Sequence, residues 1–435
     1  MSHTSLNPLN DEKPSDVRRM LKNIFGGSVG NLIEWYDFYI YNSFLLYFAK
    51  SFTSATDTTA QFLNAFAIYA IAFFVRPLGG VLIGNYADRH GRKAALTLSV
   101  LLMCGGSLII AVVPTYSSIG WGAPALLLLA RLLQGLSLGG EYATSATYLS
   151  EIAVSRHRGF YSSFQYVTLI GGQVLAALVL LIMQNSFTPA ELEAWGWRVP
   201  FAIGAACAVV GLYLRSNLEE SQEFVRASAT RRESPLRAVF HHPRELFLVF
   251  GLTAGGTAAF YTFSTYMPTF LANTVKLPRE QAGVLSFITL FAFAAMQPVF
   301  GAISDRVGRK PVLLWFGIMG TLCTYWIMTS MAATRDFGTI LVLLLFALLI
   351  VSGYTSINAV VKAELFPAGV RALGVGLPYA VAASLFGGTA PYIALWFKDQ
   401  GHETWFFIYI TALILGSLAV YATMRDTKKT SRIDT

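Results

Sequence analysis

The chain has 435 residues, 54% of them hydrophobic and only 13% charged, with a mean hydropathy of +0.54. Soluble chains carry roughly 25% charged residues, so about half of the usual charge is missing. This composition excludes a disordered protein, argues against a soluble enzyme and points to bundles of membrane-spanning helices.

A formal net charge of +8 could suggest nucleic-acid binding, but in so apolar a chain Lys and Arg collect in cytoplasmic loops. No nucleic-acid partner is expected. Cys104, Cys207 and Cys323 lie far apart in apolar stretches, which indicates neither a disulfide framework nor a Cys-based metal site. Residues 1–22 are polar and lack a short apolar core with a small-residue cleavage site, so the first apolar run reads as a retained span.

A span needs about 20 mostly apolar residues. In chain order the expected spans are 25–50, 61–86, 94–114, 122–150, 160–184 and 198–215, then 245–273, 281–303, 311–331, 338–364, 371–397 and 403–424. This is an all-α membrane protein of twelve helices. The expected division is a tail at 1–22, a six-helix bundle at 23–215, a linker at 216–244, a second six-helix bundle at 245–424 and a tail at 425–435. Arg89, Arg92 and Lys93, Arg156 and Arg158, Arg306, Arg309 and Lys310, and Arg425, Lys428 and Lys429 fall on one side, as do the basic residues of the linker. Both termini are therefore expected in the cytoplasm. Trp121, Trp195, Trp197, Trp396 and Trp405 fall at the outer edges, where amphipathic rings favour the interface.

The halves repeat. Gly84-Asn-Tyr-Ala-Asp88-Arg89-His-Gly91-Arg92-Lys93 recurs as Gly301-Ala-Ile-Ser-Asp305-Arg306-Val-Gly308-Arg309-Lys310, at an offset of 217. Glu151 and Arg158 match Glu364 and Arg371, each pair seven residues apart. Repeated halves are a transporter hallmark.

The repeated Gly-x-x-x-Asp-Arg-x-Gly-Arg-Lys loop, with Arg131-Leu-Leu-Gln134-Gly135 in the fourth span, resembles the major facilitator superfamily. Gly30-Asn31-Leu-Ile-Glu34-Trp35-Tyr36-Asp37-Phe38, Arg76-Pro77-Leu-Gly79-Gly80 and Gly139-Gly140-Glu141-Tyr142 resemble its metabolite:proton symporter family, which includes carriers of α-ketoglutarate, citrate, shikimate and proline/betaine. Ser163-Phe-Gln165-Tyr166-Val-Thr168-Leu-Ile-Gly-Gly-Gln173, Phe260-Tyr261-Thr262-Phe and Lys362-Ala-Glu364-Leu-Phe-Pro367 through Gly374-Val-Gly376 are most similar to the α-ketoglutarate carriers in that family. The resemblance implies two pseudo-symmetric bundles, a cavity lined by helices 1, 4, 7 and 10, and proton-coupled uptake of a dicarboxylate. Another small organic acid or an osmolyte is the alternative.

Charges inside spans cost roughly 2.5–3.5 kcal/mol each on insertion scales, so each needs a reason. At 100° per residue, Arg131, Gln134, Glu141, Tyr142 and Ser145 share a face of the fourth helix. Asn31, Glu34, Asp37, Tyr41 and Asn42 share one on the first, and Thr355, Asn358 and Lys362 one on the tenth. Such stripes face protein or water. A dianion needs positive charge, and Arg76 is the favoured contact through its bidentate fork. Arg131 divides between substrate binding and proton coupling, as the resemblance implies. Lys362 is read either as a substrate contact or as a snorkelling or gate-pairing lysine. Gln134, Gln165, Tyr166, Gln173, Tyr261, Tyr266, Asn358 and Tyr379 could complete the site by hydrogen bonds.

Proton coupling needs a carboxylate whose proton affinity changes with desolvation and with the nearness of an arginine. Asp37 and Glu34 fit; the bland reading is a fixed salt bridge. In the resembled superfamily the repeated loops close the cytoplasmic side, which makes Asp88, Arg89, Arg92, Asp305 and Arg309, with Glu151, Arg158, Glu364 and Arg371, gate candidates. The sequence holds no HExxH, GxSxG or P-loop and no His/Cys cluster with metal-ligand spacing. No metal or cofactor is expected, and an ion gradient is the remaining energy source. A monomer in a bacterial inner membrane, with a small organic anion and protons as partners, completes the expectation.

Overall fold

A computed structural model describes residues 32–90, 92–153, 155–216, 239–367 and 369–433. For some helical positions, among them 87–90, 92–93, 140–141, 143–145 and 208–216, it describes the backbone alone. The tail at 1–22 and most of the linker at 216–244 lie outside the described residues.

Helix α1 covers residues 32–48. It is followed by α2 (Thr58–His90), α3 (Arg92–Val112), α4 (Gly122–Ile152), α5 (Arg158–Ser186) and α6 (Arg198–Ser216). The second set is α7, which runs from Pro243–Phe260 through Tyr261–Tyr266 to Met267–Asn273, then α8 (Arg279–Val307) and α9 (Arg309–Ala333). It continues with α10, in the two segments Phe337–Thr355 and Asn358–Glu364, then α11, which runs through Arg371–Ala382, Ala383–Gly388 and Ala390–Asp399, and α12 (Glu403–Thr423). Nine of these are long and apolar enough to cross a membrane, and two more apolar stretches, Thr97–Val112 and Arg198–Cys207, are shorter. With α1 they make twelve helices, and the described residues contain no strand.

Three helices of the second set depart from regular α geometry. Tyr261–Tyr266 in α7 and Ala383–Gly388 in α11 form wide π-helical turns, and α10 breaks at Ile357, where φ is −121°. Irregular helices in a membrane are tolerated only inside protein or around a cavity, and here the flanking Tyr261, Tyr266, Asn358 and Tyr379 are all buried.

Small residues set how closely the helices approach. A Cβ on Gly135 would strike the Ala72 carbonyl, and one on Gly139 the Arg76 carbonyl. α2 and α4 therefore touch backbone to backbone, which fixes Arg76 in place. Gly308 takes φ 100° between α8 and α9, a conformation that favours glycine; its repeat partner Gly91 lies outside the described residues.

Of the interfacial tryptophans, Trp121, Trp195, Trp396 and Trp405 are exposed as expected. Trp197 is not: it is fully buried, with Phe48, Phe52 and Phe201 around it and the Arg198 guanidinium 4.0 Å above its ring. Packing among these aromatic rings offers it more than the interface does.

Candidate functional site

Four groups of polar side chains occupy the interior and the two ends. The first lies among α1, α3 and α4. Asp37 is 1% exposed; its Oδ2 accepts from the Ser107 hydroxyl and, at 3.4 Å, from Gln134 Nε2. Gln134 also donates to Ser107 Oγ (2.8 Å), and its Oε1 accepts from Arg131 Nη1 (2.7 Å). Arg131 thus meets Asp37 through Gln134, not in a direct ion pair. Its guanidinium lies 4.2 Å from the Phe38 ring and 4.5 Å from that of Tyr41, a cation–π setting that partly replaces the lost hydration. Gln134, expected at the substrate, is the bridge of this group. Ser107 on α3 was missed, because a serine among apolar residues gives no sequence signal.

The shared face expected on α1 divides. Asp37 points to α3 and α4, and the Tyr41 hydroxyl donates to Ala65 O (2.8 Å) on α2. Asn42 Nδ2 instead reaches across to Thr265 O (2.5 Å) on α7. The stripe spans too wide an arc for one neighbour. Glu34 is buried one turn before Asp37. Asn31 and the Glu141 and Ser145 side chains lie outside the described residues.

The second group lies where α2, α4, α10 and α11 meet. Arg76, 4% exposed, places its guanidinium 3.7 Å over Phe73 and 4.5 Å over Phe38. Its Nε and Nη2 have no hydrogen-bond partner among the described residues. Lys362 is fully buried; Nζ donates to Asn358 Oδ1 (2.8 Å) and to the Tyr142 hydroxyl (3.4 Å) and stands 4.1 Å over the Tyr379 ring. The snorkelling reading of Lys362 is thereby corrected, since its ammonium points into protein, and no acid pairs with it among the described residues.

Tyr166 and Tyr261 are buried close by; Tyr261 packs edge-on against Phe73 at 5.2 Å. Gln165 is buried on α5. Gln173 and Tyr266 are not brought to the cations. Gln173 Nε2 donates across to Ser264 and Thr265 (both 3.3 Å), and Tyr266 packs on Phe66 and Phe406.

The remaining two groups close the ends. At the end with the repeated loops, the Asp305 carboxylate accepts from the Gly159 and Phe160 N–H groups (2.8 Å each), the first turn of α5, where a helix N-terminus favours an anion. Arg309 donates to Asp305 (2.8 Å) and approaches Glu364 (3.5 Å), while Arg371 pairs with Glu151 (2.5 Å). Of the matched landmarks, Glu151 and Arg371 thus pair across the repeat. Arg158 is buried beside them, with Nη1 3.5 Å from Ser431. The side chains of Asp88, Arg89 and Arg92 lie outside the described residues.

The polar tail, read only as a tail, also belongs to this closure. Thr427 donates to Glu364 (2.5 Å), Asp426 accepts from the Arg309 N–H (3.1 Å), and Arg371 Nη2 donates to Arg432 O (2.9 Å). At the opposite end, Glu193 joins Lys50 and Arg279 (2.5 Å to the latter), so one acid ties the first six helices to α8.

The match to known proteins follows this geometry. The family model described as Major Facilitator Superfamily matches residues 249–434, and that described as Sugar (and other) transporter matches 24–242. The chain is 49% identical over 407 residues to the alpha-ketoglutarate permease of Escherichia coli (strain K12), covering 93% of this chain and 94% of that one. The chain belongs to the major facilitator superfamily. It is therefore a multi-pass membrane transporter and not an enzyme. It is also 32% identical over 376 residues to the citrate-proton symporter of Salmonella typhi, covering 84% of each. With the glycine betaine/proline/ectoine/pipecolic acid transporter of Dickeya dadantii it shares 30% over 427 residues, 95% of this chain and 83% of that one. In structure it resembles the xylose transporter of E. coli in a partially occluded inward-open conformation, with a TM-score of 0.73 at 19% identity over 94% of this chain and 98% of that one. That likeness carries the superfamily fold alone, with its twelve helices.

Proposed function

We propose that the protein is a proton-coupled symporter that brings α-ketoglutarate into the cell by alternating access. The observation that carries the reading is the pair of buried cations, Arg76 and Lys362. Each is buried against aromatic rings, Arg76 over Phe73 and Lys362 over Tyr379, and has no carboxylate within ion-pair distance among the described residues. Buried charge is retained where an opposite charge repays it, and a dicarboxylate brings two such charges. The similarity to an α-ketoglutarate permease supports the same substrate.

Asp37 is the proposed proton carrier, with Glu34 beside it and Arg131 as the cation that responds through Gln134. Asn358, Tyr166, Tyr261 and Gln165 complete the cavity, while Gln173 and Tyr266 serve its outer side. The Asp305, Arg309, Glu364, Glu151 and Arg371 contacts, with Arg158 and the repeat partners Asp88, Arg89 and Arg92, form the proposed cytoplasmic gate. The bundles at 23–215 and 245–424 would rock about the site as a monomer in the bacterial inner membrane, joined by the linker, with both termini in the cytoplasm. The proton gradient supplies the energy, with no cofactor.

The test is uptake of radiolabelled α-ketoglutarate into proteoliposomes with and without an inward proton gradient, in competition with citrate, shikimate and betaine. Saturable, gradient-driven uptake blocked by unlabelled α-ketoglutarate is expected. Gradient-driven uptake of a competitor alone would discard the substrate, and uptake insensitive to a protonophore would discard the coupling.

A further inference from the structure

The break in α10 gathers four side chains into a closed set. Asn358 Nδ2 donates to Thr355 O (3.0 Å), which fixes its amide and turns Oδ1 inward. Oδ1 then accepts from Lys362 Nζ (2.8 Å) and from the Tyr142 hydroxyl (2.6 Å). The Tyr142 ring lies 3.6 Å from that of Tyr379, at 11° between planes. Lys362 stands over the other partner of that stack, 4.1 Å from Tyr379 and 5.4 Å from Tyr142. Thr355, Asn358 and Lys362 belong to α10 and Tyr379 to α11, whereas Tyr142 comes from α4. One side chain of the first six helices thus completes a cluster built by the second six.

Any motion that parts α4 from α10 here breaks a 2.6 Å hydrogen bond and unstacks two rings. A motion that joins them must expel water and remake both. The hydroxyl and the amide oxygen each lose a partner when the bond breaks, and buried polar groups do not tolerate that. The bond therefore belongs to the joined arrangement, where it also sets the position of the Lys362 ammonium through their shared partner Asn358. Lys362 has three N–H donors and two neutral acceptors, which leaves capacity for a carboxylate.

We propose that Tyr142 is a positioning residue for transport. Its hydroxyl holds Asn358 and Lys362 in the joined arrangement that forms after a carboxylate is bound, and its bond across the halves makes closure respond to what Lys362 holds. The inference rests on the reading of Lys362 as the carboxylate-binding cation. A residue that links closure to binding changes turnover more than affinity; a plain ligand contact does the reverse.

Equilibrium binding of α-ketoglutarate to the purified protein and initial uptake rates in proteoliposomes separate the two. Tyr142→Phe keeps the ring stack and removes the hydroxyl; the expected result is a Kd within about twofold of wild type and a maximal rate down roughly 3- to 10-fold, the scale of one lost hydrogen bond. Lys362→Gln should weaken binding itself. Because Tyr142 and Asn358 act through one bond, the Tyr142→Phe/Asn358→Ala double variant should be no slower than the slower single variant. Wild-type Kd and wild-type rate in Tyr142→Phe would overturn the proposal, and so would a Kd weakened as in Lys362→Gln with turnover unchanged. If the wild type binds citrate or betaine but not α-ketoglutarate, the substrate reading falls instead. The Tyr142 comparison then runs with that ligand, under the same expectation and the same grounds for rejection.

Discussion

The interiors of the two halves differ more than their loops do. In the first six helices the buried charges are answered at home: Asp37, Ser107, Gln134 and Arg131 form one hydrogen-bonded chain on regular helices. In the second six, α7, α10 and α11 are widened or broken, and Lys362 meets only neutral partners, Asn358 at home and Tyr142 from α4. The repeated loops stay alike in sequence, as the proposed shared gating role would require. Under the proposed function the interiors diverge because one side would handle a proton within protein and the other would accept charge from outside. Arg76 is the exception, a first-half cation over Phe73 and Phe38 whose Nε and Nη2 have no hydrogen-bond partner among the described residues.

The largest effects should come from the buried charges without a counter-ion among the described residues. Lys362→Gln and Arg76→Gln are each expected to weaken α-ketoglutarate binding roughly 10- to 100-fold, since a hydrogen bond to a charged group contributes about 1.5–3 kcal/mol. The double variant should show no measurable uptake. Wild-type affinity in Arg76→Gln would break the comparison, by showing that Arg76 is held by its aromatic cage for packing alone.

Next comes the self-contained side. Asp37→Asn should abolish gradient-driven accumulation while leaving α-ketoglutarate exchange across the membrane, a split that parallel accumulation and counterflow assays would read. Ser107→Ala should lower accumulation by less, roughly 3- to 10-fold, as the loss of one hydrogen bond implies. Equal loss of accumulation and exchange in both variants would mean that this chain only braces the bundle.

A smaller effect is expected at the gate. Glu151 is 45% exposed in its ion pair with Arg371, and exposed pairs contribute about 0–1 kcal/mol. Glu151→Gln should alter transport by no more than a few-fold, whereas Arg309→Leu, which strips buried Glu364 and Asp305 of their cation, should prevent stable closure. Reaction of cysteines placed below the gate with a membrane-impermeant thiol reagent would rank the two.

The smallest effect lies on the loop between α5 and α6. The Thr188 N–H and hydroxyl both donate to Glu191 (2.8 Å each), and first the backbone bond, then the hydroxyl, holds this carboxyl below the usual glutamate range. A depressed carboxyl contributes above its unfolded titration range and loses that contribution as pH falls through its folded one. Thr188→Ala should speed hydrogen exchange of the loop at neutral pH, converge with wild type in acid, and leave transport unchanged.

Much of the fold was legible. The twelve apolar runs, the repeated loop and the landmarks seven residues apart follow from hydropathy and from an offset that one sequence contains. So do the buried charges as a class, because each contradicts its membrane surroundings. Partners were less legible. Periodicity places Gln134 and Arg131 on one face but does not say that Gln134 stands between Arg131 and Asp37. Tyr142 was read as part of a stripe, and only the crossing of α4 with α10 and α11 makes it a partner of Asn358 and Tyr379. The stretch at 425–433 read only as a tail, yet its Thr427 hydroxyl and Arg432 carbonyl meet Glu364 and Arg371.

By itself the sequence determined that the chain spans a membrane, in two repeated sets of six, with charge where charge is costly. Those are properties of composition and local order. Only the tertiary structure decided which charge answers which, since a stripe on a helix can face any of several neighbours. The backbone contact at Gly139, the break before Asn358 and the π-helical turns in α7 and α11 choose among them by fixing distances no pattern of residues encodes.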